Sequence, residues 1–309
     1  MRAFFITTST NETHKHHESF ASIPGNEIGC YVYNYRLKPK AELVAGLDAE
    51  VYAAAKAFSP DLIVYIGACG GNTPSIEGFK RLREIAPTVH FCSDAADDPW
   101  WPWLLAYDKA GSFDLQVALD GTHDWPLANT QLTALTVVDP ARFPPPMPHE
   151  ARPIRFGFAG NFGTAVDYRQ TMVAKMAAFG LQTRKRDQAT NSYPDFVAFM
   201  AKCRMVVNFP YTGSHKYRHV KGRVIETGLA GATLLEERGA PTSLWFTPGV
   251  DYLEYGSVEE ARDIVKRLAE SPRETQAMGE RLRARVLAGH SPAPFWSKIF
   301  ERIGLAVPA

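Results

Sequence analysis

Short apolar runs alternate with amphipathic stretches along most of this chain, a pattern typical of strands followed by helices. The clearest strand, 62–66 (Leu-Ile-Val-Tyr-Ile), is apolar at every position, as expected for a strand buried on both faces of a parallel sheet. The clearest helix, 43–58, has apolar residues at helical spacing. Repeated units of this kind predict an α/β fold with mainly parallel, doubly wound sheets.

The same patterns predict most of the other elements. In the first half we predict strands at 2–8, 28–35, 89–92, 115–119 and 135–138, a helix at 75–85 and a polar loop at 8–20. In the second half we predict strands at 154–159, 181–185, 205–207 and 232–235, and helices at 168–179, 193–202, 221–229, 259–268, 275–288 and 294–303. The alternation of strands and helices therefore starts twice.

A proline-rich segment, 142–148 (Arg-Phe-Pro-Pro-Pro-Met-Pro), separates the two halves. Proline favours extended backbone and is excluded from helix interiors and central strands, so the segment is typical of a linker. We therefore predict an N-terminal domain at 1–148 and a C-terminal domain at 149–291.

Charge is distributed unevenly between the halves, although the formal net charge is only +1. Residues 1–150 hold 11 Lys and Arg against 18 Asp and Glu, whereas residues 151–309 hold 23 against 15. The basic second half favours a small anionic ligand. The acidic first half would repel a phosphate backbone, and no basic run is present, so we predict no nucleic-acid partner.

The cysteines Cys30, Cys69, Cys92 and Cys203 occur singly, without the spacing of a metal site or a disulfide framework. The first apolar run is too short for the core of a signal peptide, and no stretch approaches the ~20 apolar residues of a membrane span. We therefore expect a reduced, cytoplasmic protein without a transmembrane segment.

The segment 205–237 has the composition of a binding site for a phosphorylated ligand. An apolar strand leads into a basic loop, a short helix carrying one acid (Glu226), and a second strand. Cations such as Lys221 and Arg223 and free N–H groups at a helix N-terminus suit a diphosphate. A carboxylate one turn further along can accept two hydrogen bonds from a ribose diol. The alternative is an ordinary βαβ unit with a solvated basic loop.

This segment resembles the C-terminal half of GT-B-fold glycosyltransferases, in particular the spore-maturation-type (CgeB-like) branch of the group 1 transferases. The matching residues are Phe156-Gly-Phe-Ala-Gly160-Asn161, Arg169, Arg223-Val-Ile-Glu226, Gly228, Ala230-Gly231-Ala232, Leu234-Leu235, Phe246-Thr-Pro-Gly249, Tyr255-Gly-Ser-Val-Glu-Glu260 and His290-Ser291. The resemblance covers 154–291. It implies two Rossmann-like domains facing a cleft, with a last helix, 292–305, that crosses back onto the first domain.

The resemblance also implies a hexosyltransferase-like enzyme of glycan biosynthesis that uses a nucleoside-diphosphate sugar as donor, retains the anomeric configuration and needs no metal or other cofactor. The donor-binding residues would be Gly160, Asn161, Arg169, Lys221, Arg223 and Glu226. The chain departs from the family at one place, because many group 1 transferases have a second acid eight residues before Glu226, where this chain has Arg218. Arg218 has no carboxylate to offer the donor sugar from that side.

The first half offers a candidate acceptor site at the end of a predicted strand. Carboxylates accept hydrogen bonds from sugar hydroxyls and indole rings pack on sugar faces, so Asp94, Trp100 and Trp101 are predicted to bind the acceptor. The candidates for assisting the acceptor hydroxyl are Asp97, Asp98 and His17. The alternative for this segment is a capped helix start with its tryptophans in the core or at the domain interface. The histidines at 14–17 lack the partner acids or cysteines of a metal site.

Two other functions use the same architecture. A sugar-nucleotide 2-epimerase would convert the donor without any acceptor. A non-catalytic sugar-nucleotide-binding protein, suggested by Arg218, would bind the donor without transfer or hydrolysis. A dehydrogenase is disfavoured because no Gly-x-Gly-x-x-Gly follows a predicted strand. The acceptor itself, whether glycan, protein or small molecule, is not specified by the sequence.

Overall fold

The computed structural model describes residues 1–8, 14–34, 41–67, 73–122, 131–160, 167–185 and 193–306. The chain divides into two compact units: Met1–Asp139 with Pro292–Ala309, and Pro140–Ser291. The predicted boundary at residue 148 lies within the second of these units. There Pro146 lies against Gly231, and Arg152 Nε donates to the Met147 carbonyl at 3.0 Å.

In the first unit, parallel strands form a sheet with the order β2-β1-β3-β4-β5-β6. Its strands are β1 (Arg2–Thr8), β2 (Glu27–Tyr33), β3 (Leu62–Ile66), β4 (Thr88–Cys92), β5 (Leu115–Ala118) and β6 (Gln131–Thr133). Its helices are α1 (His14–Ala21), α2 (Ala41–Phe58), α3 (Ile76–Leu82), α4 (Trp101–Ala110) and, from the end of the chain, the helix Pro292–Ile303. Every residue of β3 is buried, as its apolar pattern predicts.

The helix Pro292–Ile303 belongs to the core of the first unit. Its side chains Phe295, Trp296, Ile299 and Phe300 are buried against the strands β1, β3, β4 and β5. The indole of Trp296 donates to Ser19 Oγ at 3.0 Å. The apolar face of this helix therefore completes one side of the sheet.

Two predicted segments of the first unit are wrong. The segment 8–20 was predicted as a polar loop, but residues 14–21 form helix α1, since His16 and Phe20 are buried and lie against the rings of Phe91 and Phe5. The strand predicted at 135–138 ends earlier, because β6 spans 131–133 and Leu135 makes only an isolated bridge to Asp120. Its apolar residues are buried as irregular chain.

In the second unit, parallel strands form a sheet with the order β11-β10-β9-β7-β8. Its strands are β7 (Ile154–Gly160), β8 (Gln182–Lys185), β9 (Cys203–Val207), β10 (Thr233–Glu237) and β11 (Leu253–Tyr255). Its helices are α5 (Asp167–Ala177), α6 (Tyr193–Ala201), α7 (Gly222–Leu229), α8 (Val258–Ala269) and α9 (Pro272–Gly289), and the helix Pro292–Ile303, which follows, is α10. The predicted strands and helices of this half are present, with shifted ends.

The short helix α7 ends where the sequence predicts. Gly231 has a φ of +63°, in the left-handed region that glycine adopts without strain. The fully buried Arg152 donates to the carbonyls of Ala230 and Cys203, at 2.9 and 2.8 Å, and so ties the end of α7 to β9. These contacts fix the C-terminal end of α7 against the sheet.

Candidate functional site

Three neighbouring strands of the second unit, β10, β9 and β7, end at one edge of the sheet. Glu237 ends β10, Asn208 follows β9 and Gly160 ends β7. Because the strands are parallel, their carboxyl ends share this edge, which is where doubly wound sheets bind ligands. The helix α7 follows the loop after β9 and presents Arg223 and Glu226, three residues apart, on one face.

The side chain of Arg223 is held by a residue of β7 and by the residue that follows β9. Its guanidinium lies over the Phe158 ring, 4.6 Å from the centroid, and its Nη1 donates to Asn208 Oδ1 at 3.0 Å. A Cβ atom on Gly160 would lie only 2.2 Å from Arg223 Nη2. A side chain at this position would therefore displace the guanidinium that packs against Gly160.

Replacing Gly160 with alanine is expected to push the Arg223 guanidinium off the Phe158 ring and away from Asn208. The guanidinium is the far end of a flexible side chain, so we expect stability to change by less than about 1 kcal/mol. Affinity for an anion at Arg223 is expected to fall about tenfold, since charge-assisted hydrogen bonds are worth roughly 1.5–3 kcal/mol. Titration calorimetry with pyrophosphate measures this. Gly289→Ala, at a glycine with open space around it, is the matched control, and equal affinities in the two variants would contradict the prediction.

A buried carboxylate lies behind Asn208. Glu236 accepts from Asn208 Nδ2 with both oxygens, at 2.9 and 3.1 Å, and from Thr242 Oγ1 at 3.1 Å. Burial raises the pKa of Glu236 to about 7, while these hydrogen bonds and the charge of Arg223 act in the opposite direction. The side chains of Arg223, Asn208 and Glu236 thus form a chain from the sheet edge into the core.

Glu226 is 3% exposed and faces α6. The hydroxyl of Tyr193, the first residue of α6, donates to Glu226 Oε1 at 3.0 Å. The guanidinium of Arg142 lies over the Tyr193 ring, 5.0 Å from its centroid. Tyr193 therefore orients the carboxylate from the side of α6.

His219, in the loop before α7, is buried and feels the charges of two cations. Burial and the positive charges of Lys221 and Arg169 hold the pKa of His219 well below its usual range. The backbone of His219 donates to the Pro210 carbonyl at 2.9 Å. The positive charges of Lys221 and Arg169 therefore both act on the loop before α7.

Arg218, which replaces the expected acid, is held by the protein itself. Its Nη2 donates to Glu237 Oε1 at 2.7 Å and to the Tyr211 hydroxyl at 2.8 Å, and its Nη1 donates to the Arg238 carbonyl at 2.8 Å. The backbones of Tyr211 and Arg218 also form an antiparallel bridge. Arg218 therefore anchors the basic loop to the end of β10.

The structure brings several predicted donor residues close to one another. Gly160 lies against Arg223, Lys221 is the N-cap residue of α7, two positions before Arg223, and both Arg169 and Lys221 act electrostatically on His219. Asn161 lies outside the described residues. Sequence reasoning missed Tyr193, Asn208 and Glu236, although the position of the last two at strand ends is a signal that could have identified them.

In the first unit, the predicted acceptor segment follows β4 and is fixed by an acid that sequence reasoning missed. Asp120, just beyond β5, accepts from the Ala96 backbone N–H at 2.6 Å and from the Thr122 N–H at 3.3 Å. Burial raises the pKa of Asp120 to about 6, and the negative charge of Asp94 adds to the rise. Asp97 is 4% exposed and precedes the 3₁₀ helix Asp98–Trp100. The acids of this segment are therefore clustered and partly or fully buried.

The tryptophans of the predicted acceptor segment pack against the core. Trp100 and Trp101 are both partly buried against one apolar core cluster of the first unit. The indole of Trp101 donates to the Ala95 carbonyl at 2.8 Å. His17, on α1, makes an edge contact with the buried ring of Phe5 at 5.9 Å. The contacts of Trp101 agree with the alternative of tryptophans packed in the core, and the roles of Trp100, Trp101 and His17 with the acceptor stay predictions.

Among the described residues, no group of three or more His, Cys, Asp or Glu side chains is arranged to hold a metal ion. Within the same residues, no helix is both long and apolar enough to cross a membrane.

The geometry agrees with a comparison to known families. The profile of the glycosyl transferase-like family matches residues 146–301, about half of the chain. This chain belongs to the glycosyl transferase-like family. No curated protein matches it.

Solved glycosyltransferases have the same fold as this glycosyl transferase-like protein. HepE of Anabaena with bound UDP has a TM-score of 0.66 and 12% identity, over 98% of this chain and 100% of its own. Sucrose-phosphate synthase of Thermosynechococcus elongatus has a TM-score of 0.65 and 12% identity, over 98% of this chain and 99% of its own. An α-glucosyltransferase with UDP-glucose and DNA has a TM-score of 0.66 and 12% identity, over 98% of this chain and 99% of its own. The prediction of two Rossmann-like domains of the GT-B fold is therefore confirmed.

Proposed function

We propose that this protein is a glycosyltransferase of the spore-maturation-type branch, which moves a sugar from a nucleoside-diphosphate sugar to an acceptor hydroxyl. The observation that carries the proposal is the arrangement of α7. One helix presents a cation held at the sheet edge, Arg223, and a nearly buried carboxylate, Glu226, at the spacing that a diphosphate and its ribose require.

In this proposal Arg223, Lys221 and Arg169 receive the diphosphate. Lys221 and Arg223 lie at the N-terminus of α7, whose first N–H groups also favour an anion, and the charge of Arg169 acts on His219 in the loop before it. Positive charge placed there in advance stabilises the diphosphate as it leaves the sugar, which is the electrostatic work a metal ion does in other transferases. The reaction is therefore proposed to be metal-independent and, by the family resemblance, retaining.

Glu226 is proposed to bind the ribose of the donor. Tyr193 donates to Oε1 and thereby fixes the plane of the carboxylate, so that both oxygens are held in one orientation toward a diol. A carboxylate is the natural acceptor for two adjacent hydroxyl donors. HepE, a structural neighbour, has been solved with UDP-glucose. UDP-glucose contains a ribose and a diphosphate, as the proposed donor does.

The proposal is tested first by nucleotide binding. Thermal unfolding is measured with UDP, GDP, ADP, CDP and dTDP, because a ligand at ~100 times its Kd adds about 2.7 kcal/mol of stability. The sugar nucleotides of the stabilising base are then incubated with a panel of acceptors, with and without EDTA. Transfer that survives EDTA supports the proposal, and the absence of binding by every nucleotide overturns it.

The same assay separates the alternatives. An epimerase would change the donor sugar in the absence of any acceptor. A binding protein would be stabilised by the nucleotide sugar but would neither transfer nor hydrolyse it. Arg218 is anchored to Glu237 rather than directed to a ligand, so its presence does not by itself favour the binding protein.

A substitution in the first unit tests the proposed acceptor site. Asp97→Asn is expected to lower the transfer rate at least tenfold, because general acid–base groups contribute 10²–10⁴-fold, while nucleotide affinity changes less than twofold. Transfer rate and nucleotide Kd are measured together, with Asp263→Asn, in the exposed pair with Arg262, as the control. Equal losses of rate and affinity, or a collapse of thermal stability, would instead support a purely structural role for Asp97.

A further inference from the structure

Glu236 is a fully buried carboxylate to which the proposed function assigns no contact with the donor. It is the penultimate residue of β10, and its side chain accepts from Asn208 Nδ2 with both oxygens. Asn208 in turn accepts from Arg223 through Oδ1. A buried charge of this kind is unfavourable for stability unless it is paired or has another role.

The orientation of the Asn208 amide follows from this arrangement. An amide has a donating end and an accepting end, whereas an ionised carboxylate can only accept. The Asn208 NH₂ group must therefore face Glu236, and its oxygen must face Arg223. If Glu236 were neutral and able to donate, the amide could turn over and present its NH₂ group to the guanidinium, which cannot accept.

We propose that Glu236 is a positioning residue for diphosphate binding, which acts through Asn208 to hold the Arg223 guanidinium in the orientation that receives the donor. This inference rests on the proposed function, since it assumes that the ligand of Arg223 is a nucleoside diphosphate. The intervening amide matters, because a carboxylate bound directly to Arg223 would occupy the N–H groups that a phosphate needs. Through Asn208, Glu236 supplies orientation and leaves those donors to the ligand.

The ionisation of Glu236 makes this arrangement sensitive to pH. Burial raises its pKa to about 7, and the ionisable groups that interact with it are Arg223 on α7 and the hydroxyls of Tyr252 and Tyr255. A carboxyl whose pKa is raised on folding stabilises the protein most below its unfolded pKa, and this contribution is lost as the pH rises toward 7. The ionised form at pH 8 is thus less favourable for stability.

The test is a double-mutant cycle at pH 8. Each affinity is measured by titration calorimetry with whichever of UDP, GDP, ADP, CDP and dTDP wild type binds best. Glu236→Gln is expected to lower the affinity about tenfold, which is 1.4 kcal/mol. In an Arg223→Met background, which keeps the aliphatic stem but has no guanidinium, the same change is expected to have less than a twofold effect. Affinity for the parent nucleoside, which has no phosphate, is expected to stay unchanged in Glu236→Gln.

Glu254→Gln is the matched control, because Glu254 is the partner of Glu236 on the adjacent strand β11 and is only partly buried. It is expected to bind the diphosphate like wild type. Asn208→Ala removes the amide that links Glu236 to Arg223 and is expected to show the same tenfold loss. The test therefore does not depend on the folding of a single variant.

Two results would overturn the inference: wild-type affinity in both Glu236→Gln and Asn208→Ala, or an equal tenfold loss with and without the Arg223 guanidinium. In either case a wild-type protein that still binds the nucleotide leaves the proposed function intact. If wild type binds none of the five nucleotides, the proposed function is rejected and this inference with it.

Discussion

Replacing Glu226 with alanine is expected to lower nucleotide affinity about a hundredfold and to abolish the preference for ribose. A carboxylate that accepts from both ribose hydroxyls makes two charge-assisted hydrogen bonds, each worth roughly 1.5–3 kcal/mol. A hundredfold loss is about 2.7 kcal/mol, slightly less than the roughly 3–6 kcal/mol of two such bonds. Wild type is expected to bind a ribonucleotide more tightly than its 2′-deoxy form, and Glu226→Ala to bind the two equally. Titration calorimetry with both nucleotides measures both effects.

Tyr193→Phe provides the control for this experiment. It removes the hydroxyl that donates to Glu226 Oε1 but keeps the carboxylate, so we expect a loss of less than about tenfold with the ribose preference retained. If Glu226 served only to pair with Tyr193, Glu226→Ala and Tyr193→Phe would lose the same stability and both would keep the ribose preference. That outcome would remove Glu226 from the proposed site.

The sequence predicted the second unit well because its signals are local. The apolar strand 205–207, the helix start near Lys221 and the glycine at 231 all lie within one continuous segment, and each acts through its own backbone preference. Positions three residues apart on a helix share a face, so Arg223 and Glu226 could be placed together before the structure was known.

The partners of these residues could not be predicted, because they come from distant segments. Glu236 looks like a polar residue at the end of a strand until the pairing of β9 with β10 brings Asn208 beside it. Arg218 looks like a departure from a motif until Glu237, 19 residues later, accepts from it. Contacts of this kind depend on the strand order, which no local pattern encodes.

Helix α1 was missed for a related reason. Its sequence, His-Lys-His-His-Glu-Ser-Phe-Ala, is polar on average, so no apolar run marks it as an element of the core. The ring of His16 lies against Phe91 and is buried, and burial together with the charges of Lys15 and His17 lowers its pKa to about 3. A neutral histidine serves here as a core residue, so tertiary packing rather than local pattern determines the helix.

Replacing Trp296 with alanine is expected to have the largest effect on stability. Its indole is fully buried, makes edge contacts with Phe5 and Phe20 at centroid distances of 6.1 and 5.0 Å, and donates to Ser19 Oγ. Truncation of a buried tryptophan to alanine costs about 3–5 kcal/mol, from lost burial and from the cavity that remains. Urea unfolding followed by circular dichroism measures the change, with the loss expected in the transition of the first unit.

Trp103→Ala is the matched control, since Trp103 is 43% exposed on α4 of the same unit. It is expected to change the free energy of unfolding by at most about 0.5 kcal/mol, as surface substitutions usually do. Trp296→Phe keeps a ring but loses the hydrogen bond to Ser19. Its loss in free energy of unfolding is expected to lie between those of the two alanine variants. If Trp296→Ala were no more destabilising than Trp103→Ala, α10 would not be part of the core of the first unit in solution. The end of the chain could then be removed without loss of that unit's fold.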